Sequence, residues 1–325
     1  MTDGVRVTRT GPPRPGPSGT PSARVRACWP VLLTLAVLVV AVVLARRHWP
    51  VLETGAGRLA VADHPWLLAA AAAVVTTWLC SALAQQGAVA QPLPAGRLVA
   101  AQFAASAANH VLPAGLGAGA VNLRFLMRCG LPAARSLTAL AVKTAAGGIV
   151  RGTLIVVLAL ACPGLLHLPQ VPGAYVAGGL AAVCLAAVPT ARLWPRCRSA
   201  AARVTADIRA VHALPRRAAA LWGGSLAFAA LHALVVIAVA QAVGLSLPPV
   251  RVALVYLAAS TAAALLPTPG GLGSLDAALA LALTVAGAPG AAAASVVLGY
   301  RLLTVWLPLL PGLLVLAVLV RRRAL

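Results

Sequence analysis

Only five of the 325 residues are acidic, namely Asp3, Glu53, Asp63, Asp207 and Asp276, and Lys143 is the single lysine. Charged residues of both signs make up 10% of the chain and aromatic residues 4%, whereas 61% is hydrophobic and the mean hydropathy is +0.93. Soluble domains carry roughly 25% charged residues, so this shortage excludes an ordinary soluble domain. The chain also lacks the alternating ten-residue segments and aromatic girdles of a membrane barrel, which leaves helices. Chemistry is short of materials too. One acid, Asp276, lies in the apolar part of the chain, so paired carboxylates cannot be assembled there, and neither HExxH nor GxSxG occurs. The stretch GLGAGA (115–120) has no strand before it to form a dinucleotide loop. The six cysteines lie 13 to 52 residues apart without a CxxC pair, and the histidines are dispersed. No disulfide framework, metal site or cofactor is expected from such spacing.

What is present is apolar runs punctuated by arginine. The 26 Lys and Arg residues give a formal charge of +21, which in a soluble protein would suggest nucleic acid. Here the basic residues sit between apolar runs, where membrane topology and anionic lipid account for them, so no nucleic-acid partner is expected. Residues 1–28, rich in Pro, Gly, Ser, Thr and Arg, read as a disordered basic cytoplasmic tail. Residues 29–320 read as a single transmembrane domain. The run 29–45 lacks a small-x-small cleavage site and ends at Arg46-Arg47, as a retained anchor would. Further runs at about 66–90, 149–168, 174–190, 218–243 and 295–319 each approach the length of a span. Two shorter runs, 98–112 and 252–266, each end in Leu-Pro followed by glycines and a second short apolar stretch.

The fold class is therefore an all-α polytopic membrane bundle of about six full spans plus two re-entrant or broken-helix hairpins, eight helices in all. If both short runs turn back, 19 of the 26 basic residues fall on one side, including seven in the loop 191–217. That excess marks the cytoplasmic side and places both termini there. Two full crossings would leave the later loops unchanged. The 191–217 loop either fixes orientation or lies along the headgroups as a basic amphipathic helix.

The two short runs are one phrase written twice. ASAANHVLPAGLG (105–117) and ASTAAALLPTPGGLG (259–273) match Ser106 with Ser260, Pro113 with Pro267 and Gly117 with Gly273, and Gly130-Leu131-Pro132 answers Gly287-Ala288-Pro289. Three spans separate the phrases, an odd number, so the hairpins, about 98–136 and 252–290, enter from opposite faces as an inverted repeat. Proline blocks a helix interior and glycine permits unusual backbone, so each helix stops inside the membrane at Pro113, Gly115 and Gly117, and at Pro267, Pro269, Gly270, Gly271 and Gly273. Interrupted backbone is tolerated there only against protein or a watery cavity, and transporters place substrate sites between such segments. The following half-helices would aim their positive ends at the cavity, which suits an anion.

Around this expected cavity stand few charged residues. Asp276 either acts in the site or caps its half-helix. Arg301 pairs with Asp276 or binds phosphate bidentately. Lys143 and Arg151, eight residues apart, share a helix face, with snorkelling to the surface as the plainer role. Thr77, Ser81 and Gln85 recur every four residues and read as glue between helices, and His232 reads as a satisfied interior histidine.

The segments LPAGLGAGAVNLRFLMRCGLPAARS (112–136) and LLPTPGGLGSLDAALALALTVAGAPGAAAASVVLGYRLLTVWLPLLPG (265–312) resemble the lysylphosphatidylglycerol synthase transmembrane family, the flippase-like region of the multiple peptide resistance factor and its stand-alone relatives. The C-terminal hallmark is carried by Pro267, Pro269, Gly270, Gly271, Gly273, Asp276, Tyr300, Arg301, Trp306, Pro308 and Gly312; the first segment matches through Pro113, Gly117, Arg124 and Gly130. Asp276 stands where members commonly carry Glu. The acid that many carry before Arg124 is missing; Asn122 is nearby, and an amide cannot titrate. The resemblance implies a protein of the bacterial plasma membrane that translocates or accommodates a lipid with a charged headgroup, met by Arg124, Arg301, Asp276, Asn122, Lys143 and Arg151. Its expected partners are membrane lipids and a separate transferase; a non-catalytic subunit docking such an enzyme through 191–217 is the alternative. Full-length relatives add an aminoacyl-transferase domain, and this sequence runs only to Leu325, so aminoacylation is not expected.

Overall fold

The computed structural model describes residues 49–111, 116–161, 206, 209, 213–264, 268, 272–322 and 325. The tail 1–28, the runs 29–45 and 174–190, most of the 191–217 loop, and Pro113, Gly115, Pro267, Pro269, Gly270 and Gly271 lie outside these residues. All regular structure among the described residues is helical: α1 (Trp49–Ala60), α2 (His64–Gly87), α3 (Ala95–Val111), α4 (Leu116–Arg128), α5 (Ala133–Ala161), α6 (Pro215–Ala242), α7 (Pro249–Ala264), α8 (Ser274–Val285) and α9 (Gly290–Arg321).

Four of these, α2, α5, α6 and α9, are long and apolar enough to cross a membrane, and α3, α4, α7 and α8 are half-length. The chain thus repeats one order, long, short, short, long. Prolines mark several boundaries where a missing N–H costs nothing: Pro65 and Pro215 open α2 and α6. In α9 the proline chemistry falls inside the rod. Pro308 and Pro311 cannot donate to the carbonyls of Thr304 and Leu307, and the turn Leu302–Trp306 just before them is π-helical.

The expected span 149–168 begins sixteen residues earlier, as α5. Its polar residues Ser136, Thr138 and Lys143 lower the hydropathy of that stretch without breaking the helix. The segment 49–60 is also helical and packs through Leu59 against Gly299 of α9.

At the centre α2 and α6 run antiparallel in close contact. A Cβ on Gly87 would strike the backbone of Leu221, and one on Gly224 would lie 2.7 Å from the Ala84 nitrogen. At their other ends the Asp63 N–H donates to the Ala242 carbonyl at 3.0 Å. Small residues permit this approach, and in lipid van der Waals contact of this kind drives helix association. Each short pair flanks the central one. Gly117 at the start of α4 sits against Ala108 and Asn109 near the end of α3, and Gly312 of α9 crosses α3 at Ala107, where an added Cβ would be 2.6 Å away. On the other side the hydroxyls of Tyr256 on α7 and Tyr300 on α9 lie 3.1 Å apart.

The turns that leave the short pairs are alike. Gly130 (φ +91°) and Gly287 (φ +100°) occupy left-handed backbone, and the next N–H, Leu131 or Ala288, reaches back to Leu126 or Leu283 at 3.1 and 2.9 Å. These are Schellman closures, which favour glycine at the left-handed position. Two buried clusters result. One joins α3 and α4 to the end of α9 through Phe125, Leu126 and Leu98; the other joins α7 and α8 to α6 and the start of α9 through Leu257, Leu279 and Val296.

Candidate functional site

Between the clusters lies a chamber of about 660 Å³ to which both short pairs contribute. Its wall takes Thr77, Trp78 and Ser81 from α2, Gln102, Ser106, Asn109 and His110 from α3, and Ala118 and Asn122 from α4. From the other half come Tyr256, Ser260 and Ala263 of α7, Thr268, Leu275 of α8, and Tyr300, Arg301 and Thr304 of α9. Lys143 and Arg151 of α5 and His232 of α6 complete it. Gln102, Ser106 and Asn109 recur at helical spacing, so α3 turns one polar face inward.

On one wall the side chains form a chain of hydrogen bonds. Lys143 Nζ donates to Ser81 Oγ at 3.0 Å and to Gln102 Oε1 at 2.9 Å; Ser81 Oγ also donates to Gln102 Oε1 at 2.8 Å. Gln102 Nε2 then donates to Asn122 Oδ1 at 2.6 Å, and Asn122 Nδ2 to the Ala118 carbonyl at 2.8 Å. Every partner of the lysine in this network is neutral.

On the opposite wall charge meets charge. Arg301, only 6% exposed, pairs through Nε with Asp276 Oδ1. The other oxygen, Oδ2, accepts the Gly273 N–H at 2.9 Å. Asp276 therefore does both things open to it, capping α8 and holding α9. Gly273 has φ +79°, a conformation a Cβ resists. Thr268 and Ser274 hydroxyls meet at 2.8 Å beneath the turn. Arg151 borders the chamber, and its Nε is buried with no hydrogen-bond partner among the described residues. His110 Nδ1 is in the same state, and His232 Nδ1 lies 3.0 Å from the Phe228 carbonyl.

Of the six charged or polar residues expected at a headgroup site, Asn122, Lys143, Arg151 and Arg301 line the chamber, and Asp276 touches it through Arg301. Arg124 does not. It is exposed on α4, because two residues of helix turn it roughly 200° away from Asn122. Of the turn residues, Gly117 and Gly273 fall among the described residues, and both stand where a side chain does not fit or is strained. The expected glue on α2 is uneven: Ser81 bridges to α3 and α5, Thr77 bonds its own Val74 carbonyl at 2.6 Å, and Gln85 is buried with neither amide atom partnered. Gln102, His110 and Tyr256 were not singled out by sequence, although the spacing of Gln102, Ser106 and Asn109 within an Ala-rich run carried the signal.

A helical bundle with four helices long and apolar enough to cross a membrane, and half-length helices between them, defines an integral membrane protein. The chain belongs to the family described as the lysylphosphatidylglycerol synthase TM region, whose model matches residues 30–312. It is a multi-pass integral membrane protein. No curated protein matches it.

Proposed function

We propose that this protein is a flippase-like lipid translocase that admits a charged lipid headgroup to the chamber while the acyl chains remain in the bilayer. The observation that carries this reading is the chamber itself, walled by polar side chains of both short helix pairs and by three basic side chains, in a chain that is 61% hydrophobic. The first turns of α4 and α8 border it at Ala118 and Leu275, so the positive ends of two half-helices add to the attraction for an anion.

In this reading the short pairs are re-entrant hairpins of an inverted repeat. Support comes from the ends of the helices. Arg97 near the start of α3 shares a groove with Arg322 at the end of α9, and Gln91 before α3 bonds the Cys129 carbonyl after α4 at 2.9 Å. Both ends of the first pair thus meet the C-terminal end of α9, whereas the second pair leads directly into the N-terminal end of that rod. Arg128, Arg135, Arg217 and Arg321 gather with Arg97 and Arg322, which favours cytoplasmic placement of that end and of the C-terminus in a bacterial plasma membrane.

The role is transport and not catalysis. The test is transfer of acyl-labelled phosphatidylglycerol across liposomes holding the purified protein. Wild type is expected to exceed protein-free liposomes, and Ser106→Trp, which places an indole in the chamber, to fall to the protein-free rate while unfolding at the wild-type temperature. Equal transfer by wild type and Ser106→Trp would remove the chamber from the mechanism.

A further inference from the structure

We propose that the chamber selects a headgroup bearing two phosphate groups over one bearing a single phosphodiester or a lysyl ester; this rests on the translocase reading above. Three basic side chains line the chamber, and Asp276 neutralises only Arg301. Lys143 donates to Ser81 and Gln102, both neutral, and no ion pair is formed by Arg151 among the described residues. Among the described residues no other carboxylate is placed to supply one. Glu53 and Asp63 are exposed on α1 and before α2, and Asp3 and Asp207 belong to polar stretches of sequence outside the apolar runs.

Two positive charges therefore face the chamber without a counter-charge among the described residues, in surroundings where an unpaired ion is costly and marks a functional position. They sit eight residues apart on α5, two helical turns or about 12 Å along its axis. Two anionic groups in succession match that spacing better than one phosphodiester. A lysyl ester fares worst, because its ammonium would enter beside two cations while the nearby carboxylate is already engaged with Arg301. The chemistry required is a pair of phosphates, carried either by a lipid or by a free polyphosphate anion.

The experiment uses three lipids with the same labelled acyl chains: phosphatidylglycerol phosphate, phosphatidylglycerol and lysyl-phosphatidylglycerol, with binding measured in detergent and transfer in liposomes. Wild type should favour the first over the second by about tenfold or more, the scale of one added charge-assisted contact, and handle the third least well. Lys143→Gln and Arg151→Gln should each bring phosphatidylglycerol phosphate down toward phosphatidylglycerol, and Lys143→Arg, which keeps the charge, should retain the preference. Equal handling of the first two lipids by wild type, or a preference that survives in the double Gln variant, overturns the proposal and leaves the translocase reading standing. Wild type that neither binds nor transfers any of the three sinks that reading instead. Soluble pyrophosphate distinguishes the sources: if it binds with the same dependence on Lys143 and Arg151 while no lipid does, the occupant is a free anion and the lipid assignment fails.

Discussion

The two halves of the bundle use one backbone plan with different charges. In each, a short pair ends in a left-handed glycine, at 130 or 287, and a long helix follows that carries a cation close to its twelfth residue, Lys143 on α5 and Arg301 on α9. In the second half the cation meets a carboxylate from the preceding short helix, Asp276. In the first half the corresponding short helix offers only an amide, Asn122, reached through Gln102. One wall is thus neutralised and the other is left positive. The lesson is that the repeat builds the chamber while its departures from symmetry set the charge inside it. A pair such as Arg301 with Asp276 braces α8 to α9; in the proposed mechanism Lys143, whose partners are neutral, meets the incoming anion.

The largest effect should come from breaking the neutralised wall. Asp276→Asn leaves Arg301 buried without its counter-charge and weakens the α8 cap, and removal of one partner from a buried pair costs about 3–5 kcal/mol. Asp276 is itself about a third exposed, with side-chain exposure of 32%, so the lower end of that range, about 3 kcal/mol, is expected in unfolding measured in detergent. Adding Arg301→Gln should recover a large part of the loss. Recovery would assign Asp276 to bracing; no recovery would mean that the cap matters more than the pair.

Next comes the shared turn. Gly130→Ala and Gly287→Ala each force a side chain into left-handed backbone, costing about 1–2 kcal/mol. Neither position has an atom within 4 Å of the added Cβ, so strain should be the whole effect and should be nearly equal in the two halves. A marked inequality in unfolding free energy would break the equivalence of the turns.

That equivalence was legible in the sequence because glycine and proline report backbone geometry directly. The Leu-Pro phrases and the glycines after them delimit α3, α7 and α8 to within a few residues. The charged wall was less legible. Hydropathy registers a residue's polarity and not its direction, so Ser136, Thr138 and Lys143 hid the first half of α5, and Gln102 passed unnoticed in an Ala-rich run. Arg124 misled for the converse reason: it accompanies the motif, but its helical phase points it outward. The sequence held open pairing with Asp276 or phosphate binding for Arg301, and a site role or a cap for Asp276; the fold shows the pair and the cap.

The smallest change in stability, and the sharpest probe of the asymmetry, is Asn122→Asp. It gives the first half the carboxylate that the second half already has. Gln102 Nε2 can still donate to a carboxylate oxygen, so that link of the network survives. The bond from Asn122 Nδ2 to the Ala118 carbonyl is lost, which removes about 1 kcal/mol. Placing a negative charge near Lys143 opposes that loss, while desolvation of the new carboxylate adds to it, so the net shift should stay within about 1 kcal/mol in unfolding. Anion binding should respond far more than stability does, because one of the two uncompensated cations has been answered from within the protein. Discrimination between phosphatidylglycerol phosphate and phosphatidylglycerol should then contract toward unity. If discrimination persists unchanged, the charge of the first wall does not read the headgroup, and the contrast between the halves is a matter of packing alone.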